Sequence, residues 1–390
     1  MRRGSTRSST RKGSTRTAAV DVVRGLLLAI SVVTSSLIAP PDWFEHAPWA
    51  SVHPLDVVFP AFVVLTGAGL GFAHRRGVRV SRLVRRVVVL IAAGMAYNAA
   101  MAWARDGTVD LDTLRWTGVL QLYAALVLVI AVLHLVVRGW IAWTGVALAL
   151  AGAHTALLAR WAVGCPGGEV TPQCNPSLSI DSAVLPTAHL YEQFSLGHDP
   201  EGLVALLGAC ATAAAGTAAA HAITASRASH AAALGRLLTV AVVVAAGAAA
   251  AAPLVPAMKR LWTAPFGLGV AAAVVLVVAV VHAVVDAPWV DAPGIERGAG
   301  AGALVRSARR PFVALGRNSL LVYFGSHVVA ELLLLRPLRP DPTAAPSYAE
   351  SLGQGLGWLV SDQVGFSAAV LACWWVLATA LHRRGWYLRA

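Results

Sequence analysis

His46 stands in the short loop Pro40–Ser51, PPDWFEHAPWAS, between two apolar segments each long enough to cross a bilayer. An imidazole at a polar–apolar boundary can take and return a proton near neutral pH, which makes it a candidate general base. Ten residues on, in HPLDVVFP, Asp56 can orient such a ring and stabilise its protonated form. Each residue also has a plainer reading. Trp43, Phe44 and Trp49 around His46 suit an interfacial aromatic belt. Asp56 suits the N-terminus of a helix, as a cap in the favourable dipole field.

Other polar groups sit within apolar stretches. Asp21 and Arg24 in DVVRG are three apart and share a helix face. Ionisable groups inside a membrane are costly and usually pair. The two therefore read either as a salt bridge fixing the helix end or as a wall of a charged cofactor channel, with Arg24 available to a phosphate. LRWTGVLQLYAAL carries Gln121 in an apolar helix, with Gly118 permitting close approach. TAHLYEQFSLGHDPEG is dense in polar groups, among them His189, Tyr191, His198, Asp199 and Glu201. Long loops of this kind tend to be functional. PFVALGRNSLLVYFGSHVVAELL holds Asn318, Ser319, Tyr323 and His327, and the last three, spaced by four, project from one helical face. There is no P-loop, no HExxH and no serine-elbow motif, and GAGLGFA is only a small-residue packing pattern.

These residues need a membrane scaffold. The chain has 390 residues, 57% hydrophobic and 13% charged, with mean hydropathy +0.67. Soluble domains carry about 25% charged residues. The expected fold class is therefore an all-α integral membrane protein, a polytopic bundle of about ten transmembrane helices. The ten apolar segments are Ala18–Ile38, Leu55–Ala73, Val84–Trp103, Leu114–Val137, Ile141–Trp161, Leu203–Ile223, Leu237–Ala252, Phe266–Val285, Phe312–Leu335 and Leu356–Leu381. With both termini cytoplasmic, the inner side carries 22 Lys and Arg and the outer side 7. This agrees with the positive-inside rule and places His46 outside the cytoplasm. The expected domains are a disordered basic cytoplasmic tail (1–17), one transmembrane domain (18–382) with a long outer loop (162–200), and a cytoplasmic tail (383–390). The net charge of +12 is spread over loops and tails, so nucleic acid is not an expected partner. Abundant Arg, Ala, Val and Gly suit a high-GC bacterium and, with the spans, a multi-pass protein of a bacterial plasma membrane. Cys165 and Cys174 share the outer loop and read as a disulfide in an oxidising compartment. No His–Cys cluster has standard metal spacing, so no metal site is expected.

In this order RTAAVDVVRG, WFEHAPW, LDVVFPAFVVLTG, LRWTGVLQ, HLY…DPEG, KRLW and GRNSLLVY resemble the heparan-α-glucosaminide N-acetyltransferase family of transmembrane acyltransferases, over about residues 16–335. The resemblance implies transfer of an acetyl group from cytosolic acetyl-CoA to an amino sugar or glycan across the bilayer, and it is compatible with a homodimer. The family histidine falls on His46, its second-helix aspartate on Asp56, and its DxxRG pair on Asp21 and Arg24. GVLQ falls on Gly118–Gln121, and the late Asn–Ser and Tyr on Asn318, Ser319 and Tyr323. Where the animal enzyme has an asparagine eleven residues before the histidine, this chain has Ser35. Leu122 replaces the usual Arg after the Gln, and the late histidine, His327, is displaced by one position.

The expected mechanism has His46 as base, Asp56 holding the ring, and Ser35, Gln121 or Asn318 donating to the oxyanion. Asp21, Arg24, Arg310, Arg317, Ser319, Tyr323 and His327 are the expected acetyl-CoA-binding residues. Trp43, Trp49, Tyr191, Asp199 and Glu201 are the expected acceptor-binding residues. Direct transfer and a ping-pong route through an acetyl-imidazole both remain open, as does a carrier or flippase for a sugar or lipid-linked envelope precursor.

Overall fold

The computed structural model describes residues 17–225, 229–290, 300–335 and 345–388. Residues 1–16 of the expected basic tail, together with Arg227, Arg297, Arg336, Arg339 and Arg389 from the charge tally, lie outside the described residues. The chain forms α1 (Ala18–Ser35), α2 (Val58–His74), α3 (Val80–Asp106), α4 (Val119–Leu133), α5 (Gly139–Ala162) and α6 (Pro176–Val184). It continues with α7 (Leu203–Ala225), α8 (His230–Ala251), α9 (Ala264–Val285), α10 (Ala301–Arg317), α11 (Ser319–Leu335), α12 (Tyr348–Leu356) and α13 (Asp362–Arg383). Among the described residues, eight helices are long and apolar enough to cross a membrane. The bent pair α10–α11 makes a ninth, and α4 is a shorter apolar helix. The protein is an all-α polytopic membrane protein. Every expected apolar segment is helical, because in lipid only a helix satisfies its own backbone within one segment.

Boundaries differ in informative ways. Phe312–Leu335 is not one continuous helix but the end of α10 and the whole of α11, which are bent by 72°. Asn318 lies at the break, and its Nδ2 donates to the carbonyls of Ala314 (3.0 Å) and Ala378 (3.3 Å). The side chain thus serves backbone groups around the interruption. Leu356–Leu381 divides too, since Leu356 ends α12 and α13 starts at Asp362 under a Ser361 cap. The fourth segment becomes helical only at Val119. Gly118 has φ +143°, a conformation unsuited to other residues, and Asn98 pins the approach by donating to the carbonyls of Arg115 and Thr117 (2.8 Å each). The third helix begins at Val80, one turn earlier than expected.

Helix α7, rich in Ala and Gly, is the most buried span and packs against α2 and α5. A Cβ on Gly67 of α2 would overlap the Ala213 carbonyl of α7, and one on Gly216 of α7 would overlap that of Val64. The two glycines let the backbones touch, and Thr217 Oγ1 bonds Gly67 O across the contact (3.0 Å). Gly25 of α1 and Gly316 of α10 form a second reciprocal pair, against Phe312 O and Asp21 O. GAGLGFA is therefore a principal packing seam of the fold. Asp286, just after α9, caps α1 by accepting from Ala18 N (2.9 Å) and Ala19 N (3.2 Å).

The loop 162–200 is held from within. Cys165 and Cys174 form a disulfide. Asn175 Nδ2 donates to three carbonyls, those of Thr171, Pro172 and Gly197. The carboxylate of Asp181 accepts from Leu203 N and Val204 N at the start of α7. The Val170 carbonyl, inside the disulfide turn, accepts from Trp49 Nε1 (3.1 Å) and so ties this loop to the loop of His46. Closing a loop of this size is worth about 3 kcal/mol on the chain-entropy estimate. The double replacement Cys165→Ser, Cys174→Ser should therefore lower the melting temperature by several degrees, and an unchanged melt would show that the bridge holds nothing.

Candidate active site

The two readings of His46 are separated by its partners. Its Nδ1 lies 2.7 Å from Asp56 Oδ1. The other carboxylate oxygen accepts from His53 N (2.9 Å) and Ala47 N (3.2 Å), which fixes the group in place. Asp56 is fully buried, whereas the His46 side chain is 45% exposed. The carboxylate accepts only, so Nδ1 carries the hydrogen and Nε2 is left with its lone pair. A buried, oriented carboxylate behind a half-open imidazole has the geometry that a base and its orienting group require. Asp56 also serves as the cap the plainer reading expected, through His53 N.

A third group completes the couple from far along the chain. Lys259, in the connection between α8 and α9, brings Nζ to 3.0 Å from His46 Nδ1, 3.3 Å from Nε2 and 3.5 Å from Asp56 Oδ1. The residue is buried, and that burial lowers its pKa, while Glu201 and Asp56 favour the charged form. Arg260 Nε bonds Ala47 O (3.1 Å) and fastens the same connection to the His46 loop. A recess of about 360 Å³ opens beside the ring, lined by Thr34, Leu37, Pro40, Phe44, Glu45 and Leu55.

The opposite end of the bundle holds a larger cavity, of about 630 Å³. Arg24, Arg82, Arg86 and Arg317 line it, with Asp21 between Arg24 (3.5 Å) and Arg317 (3.3 Å). Asp21 and Arg24 thus form the expected ion pair and both line the cavity. Arg24 Nη2 also donates to Leu65 O (3.0 Å). The Arg86 Nε is buried with no hydrogen-bond partner among the described residues. Thr66, Tyr123, Ser319 and Tyr323 add polar atoms to otherwise apolar walls.

Helix α2 runs from one site to the other. Leu55, just before it, faces the His46 recess, and Phe62, Thr66 and Gly69 face the cavity. Phe59 lies on the same stripe in between, packed edge-on against Tyr123 (5.8 Å) and Trp262 (5.1 Å). Phe62 meets Tyr323 likewise, at 5.5 Å. At 1.5 Å per residue, Asp56 and Phe62 are about 9 Å apart along the axis.

Other expected residues lie elsewhere. Ser35 donates back to Val32 O (3.1 Å), while its neighbour Thr34 lines the His46 recess. Gln121 packs between Gly94 and Gly118, with its Nε2 3.6 Å from the Met95 sulfur. Asn318 is buried at the α10–α11 break. None of these three lines either cavity. His327 packs on the Tyr323 ring and donates from Nδ1 to Tyr323 O (2.7 Å). Arg310 is exposed on α10 and does not line the cavity. Asp199 is fully buried and accepts from Arg115 (2.7 Å), Thr117, Tyr191 N and Glu201 N. Arg115 also pairs with Glu201 and covers the Tyr191 ring at 4.6 Å. These residues brace the loop against the start of α4. Trp43 is exposed near the ring, and Trp49 is engaged with Val170 and His198. Among the described residues, no group of three or more His, Cys, Asp or Glu could hold a metal ion.

Residues 16–164, which span α1 to α5 and contain His46, Asp56, Asp21 and Arg24, match the family model described as heparan-α-glucosaminide N-acetyltransferase, catalytic. The chain is similar to this family over that segment. The human heparan-α-glucosaminide N-acetyltransferase is 24% identical over 375 residues, which is 80% of this chain and 53% of the human protein. The mouse protein is 24% identical over 378 residues, 82% and 54% respectively. The chain spans about half the length of these curated relatives. Arg82 and Arg86 were not singled out from the sequence, and Lys259 entered only within KRLW, with no role given to it. Lys259 had a second signal, as one of only two lysines in the chain and the one among its apolar segments.

Proposed function

We propose that the protein is a transmembrane acetyltransferase. It takes an acetyl group from acetyl-CoA held in the cation-lined cavity at the cytoplasmic end and delivers it to an amine or hydroxyl at His46 on the other face. The observation that carries this reading is the pairing, along α2, of an oriented imidazole at one end with four arginines around a cavity at the other. The family match supports the donor and an amino sugar or glycan acceptor. The charge bias supports the sidedness, and the disulfide near His46 suits an oxidising compartment.

The cavity suits such a donor. Arg24, Arg82, Arg86 and Arg317 meet the need of phosphates for cations, and the apolar walls toward Phe62 suit a flexible arm. Acetyl-CoA supplies an activated thioester carbonyl. His46 takes the acceptor's proton through Nε2 as the acceptor attacks that carbonyl. Asp56 holds the ring by its Nδ1–H and stabilises the imidazolium that forms. The tetrahedral adduct expels the thiolate toward the cavity, and the imidazolium gives its proton to that sulfur, so that CoA leaves as the thiol.

Thermal unfolding in detergent tests the donor. At a hundred times Kd, acetyl-CoA adds about 2.7 kcal/mol to the folded state. Arg86→Met removes a buried cation from the wall and should weaken this response at least tenfold in concentration, about 1.4 kcal/mol. A melt indifferent to acetyl-CoA would favour a carrier or flippase.

A further inference from the structure

We propose that Lys259 is a positioning residue for His46, holding the ring ready as a base by opposing the second proton that Asp56 would otherwise keep on it. The inference rests on the acetyltransferase reading for its purpose, but not for its geometry.

Asp56 and His46 alone make an awkward base. A buried carboxylate 2.7 Å from a ring nitrogen favours the imidazolium, and an imidazolium has no lone pair for an acceptor's proton. Lys259 supplies the opposite influence. Its Nζ lies within 3.3 Å of both ring nitrogens, closer than to the carboxylate at 3.5 Å. A cation there disfavours a second positive charge on the ring while leaving the Nδ1–H to Asp56 bond in place. The arrangement is built rather than incidental. Lys259 is only 8% exposed, and the Met258 and Thr263 backbones on either side bond one another around it (3.1 Å). Thr263 Oγ1 adds a bond to Pro256 O (2.8 Å), and Arg260 clamps the turn to Ala47.

Few other charges face the ring. From its own loop come Glu45, exposed beside it, and His53, whose Nδ1 is engaged with Glu45 O (2.8 Å). From α2's first turn comes Asp56. The 252–263 connection brings Lys259 and Arg260. Glu201, from the start of α7, acts on Lys259 and is itself paired with Arg115. His198 packs on Trp49 and feels Arg260. Lys259 is the only cation among them within hydrogen-bond reach of the imidazole.

The test reads the ring itself. Diethyl pyrocarbonate modifies unprotonated imidazole, and His46 is open enough to react. Residue-resolved mass spectrometry of the full-length protein then gives the pH at which His46 becomes half-reactive. Lys259→Met should move that midpoint up by about one pH unit, the size expected for removing a neighbouring charge. Lys259→Arg should leave it near the wild-type value, and Asp56→Asn should move it down. If Lys259→Met does not fold, Lys259→Gln takes its place, with melting temperatures measured for every variant. A midpoint in the Met or Gln variant equal to or below that of the wild type overturns the proposal, whatever happens to the melting temperature, and leaves Lys259 a structural strut. Labelling needs no acyl transfer, so it stands if the acetyltransferase reading fails. If that reading holds, the acidic limb of the pH–rate profile moves with the labelling midpoint, and turnover on that limb falls by up to about tenfold in Lys259→Met.

Discussion

His46→Ala is expected to lower acetyl transfer at least ~100-fold, the scale of a lost general base. The variant should fold normally. The His46 side chain is 45% exposed, and Asp56 retains the His53 and Ala47 N–H groups and Lys259. Losing the bond to Asp56 should cost about 1–3 kcal/mol. Turnover is therefore compared well below the melting temperature of either protein and at equal acetyl-CoA response, which separates chemistry from folding and from donor binding. Asp56→Asn is a poorer probe, because it disturbs a buried group with four partners. Near-wild-type transfer by His46→Ala would take the imidazole out of the mechanism. Labelled acetyl retained on wild-type protein after removal of CoA, and absent from the variant, would instead indicate a covalent route.

Gly216→Ala is expected to be the most damaging single-methyl change in the bundle. The added Cβ would overlap the Val64 carbonyl, and Gly67 forms the reciprocal contact against Ala213. The helices must separate, weakening the Thr217–Gly67 hydrogen bond and the small-residue seam together. We expect a loss of about 3 kcal/mol, within the range of overpacking, read as a melting temperature lower by several degrees or as failure to purify as a single species. Gly152→Ala is the control. Nothing lies within 4 Å of a Cβ there, so it should be neutral or stabilise by up to about 1 kcal/mol. A melt of Gly216→Ala within 1 kcal/mol of wild type would mean that the seam is softer than its geometry.

Local relations carried most of what the sequence made legible. Hydropathy located the long apolar helices, since each span must be apolar over its own length, but not α6, most of α10 or α12. His46 and Asp56 are ten residues apart around one loop, so their pairing could be read without knowing the fold. Residues whose role depends on a distant partner were harder to see. Lys259 reaches His46 across 213 positions, through a turn that no local pattern announces. Arg82 and Arg86 were read as charges of an inner loop, because charge there masks the start of α3 at Val80; on the helix, spaced by four, they share the face that lines the cavity. The break at Asn318 was hidden for the opposite reason. An apolar run continues through it, and only the tertiary carbonyl of Ala378 marks the stop. Asp199 and Glu201 were read as acceptor ligands by composition, whereas Arg115 engages both from outside the same loop.

If the protein carries out the proposed acetyl transfer in an energised membrane, the rings of Phe59, Tyr123 and Trp262 have a consequence for that membrane. A reaction drawing its two partners from opposite aqueous phases invites a short circuit, because any hydrated passage wide enough for a two-carbon fragment also conducts protons. Close-packed aromatic edges can yield to a thioester arm and shut again behind it, while offering a hydronium ion no chain of water to follow. On this account the protein would behave as an electrical insulator through which carbon crosses and current does not.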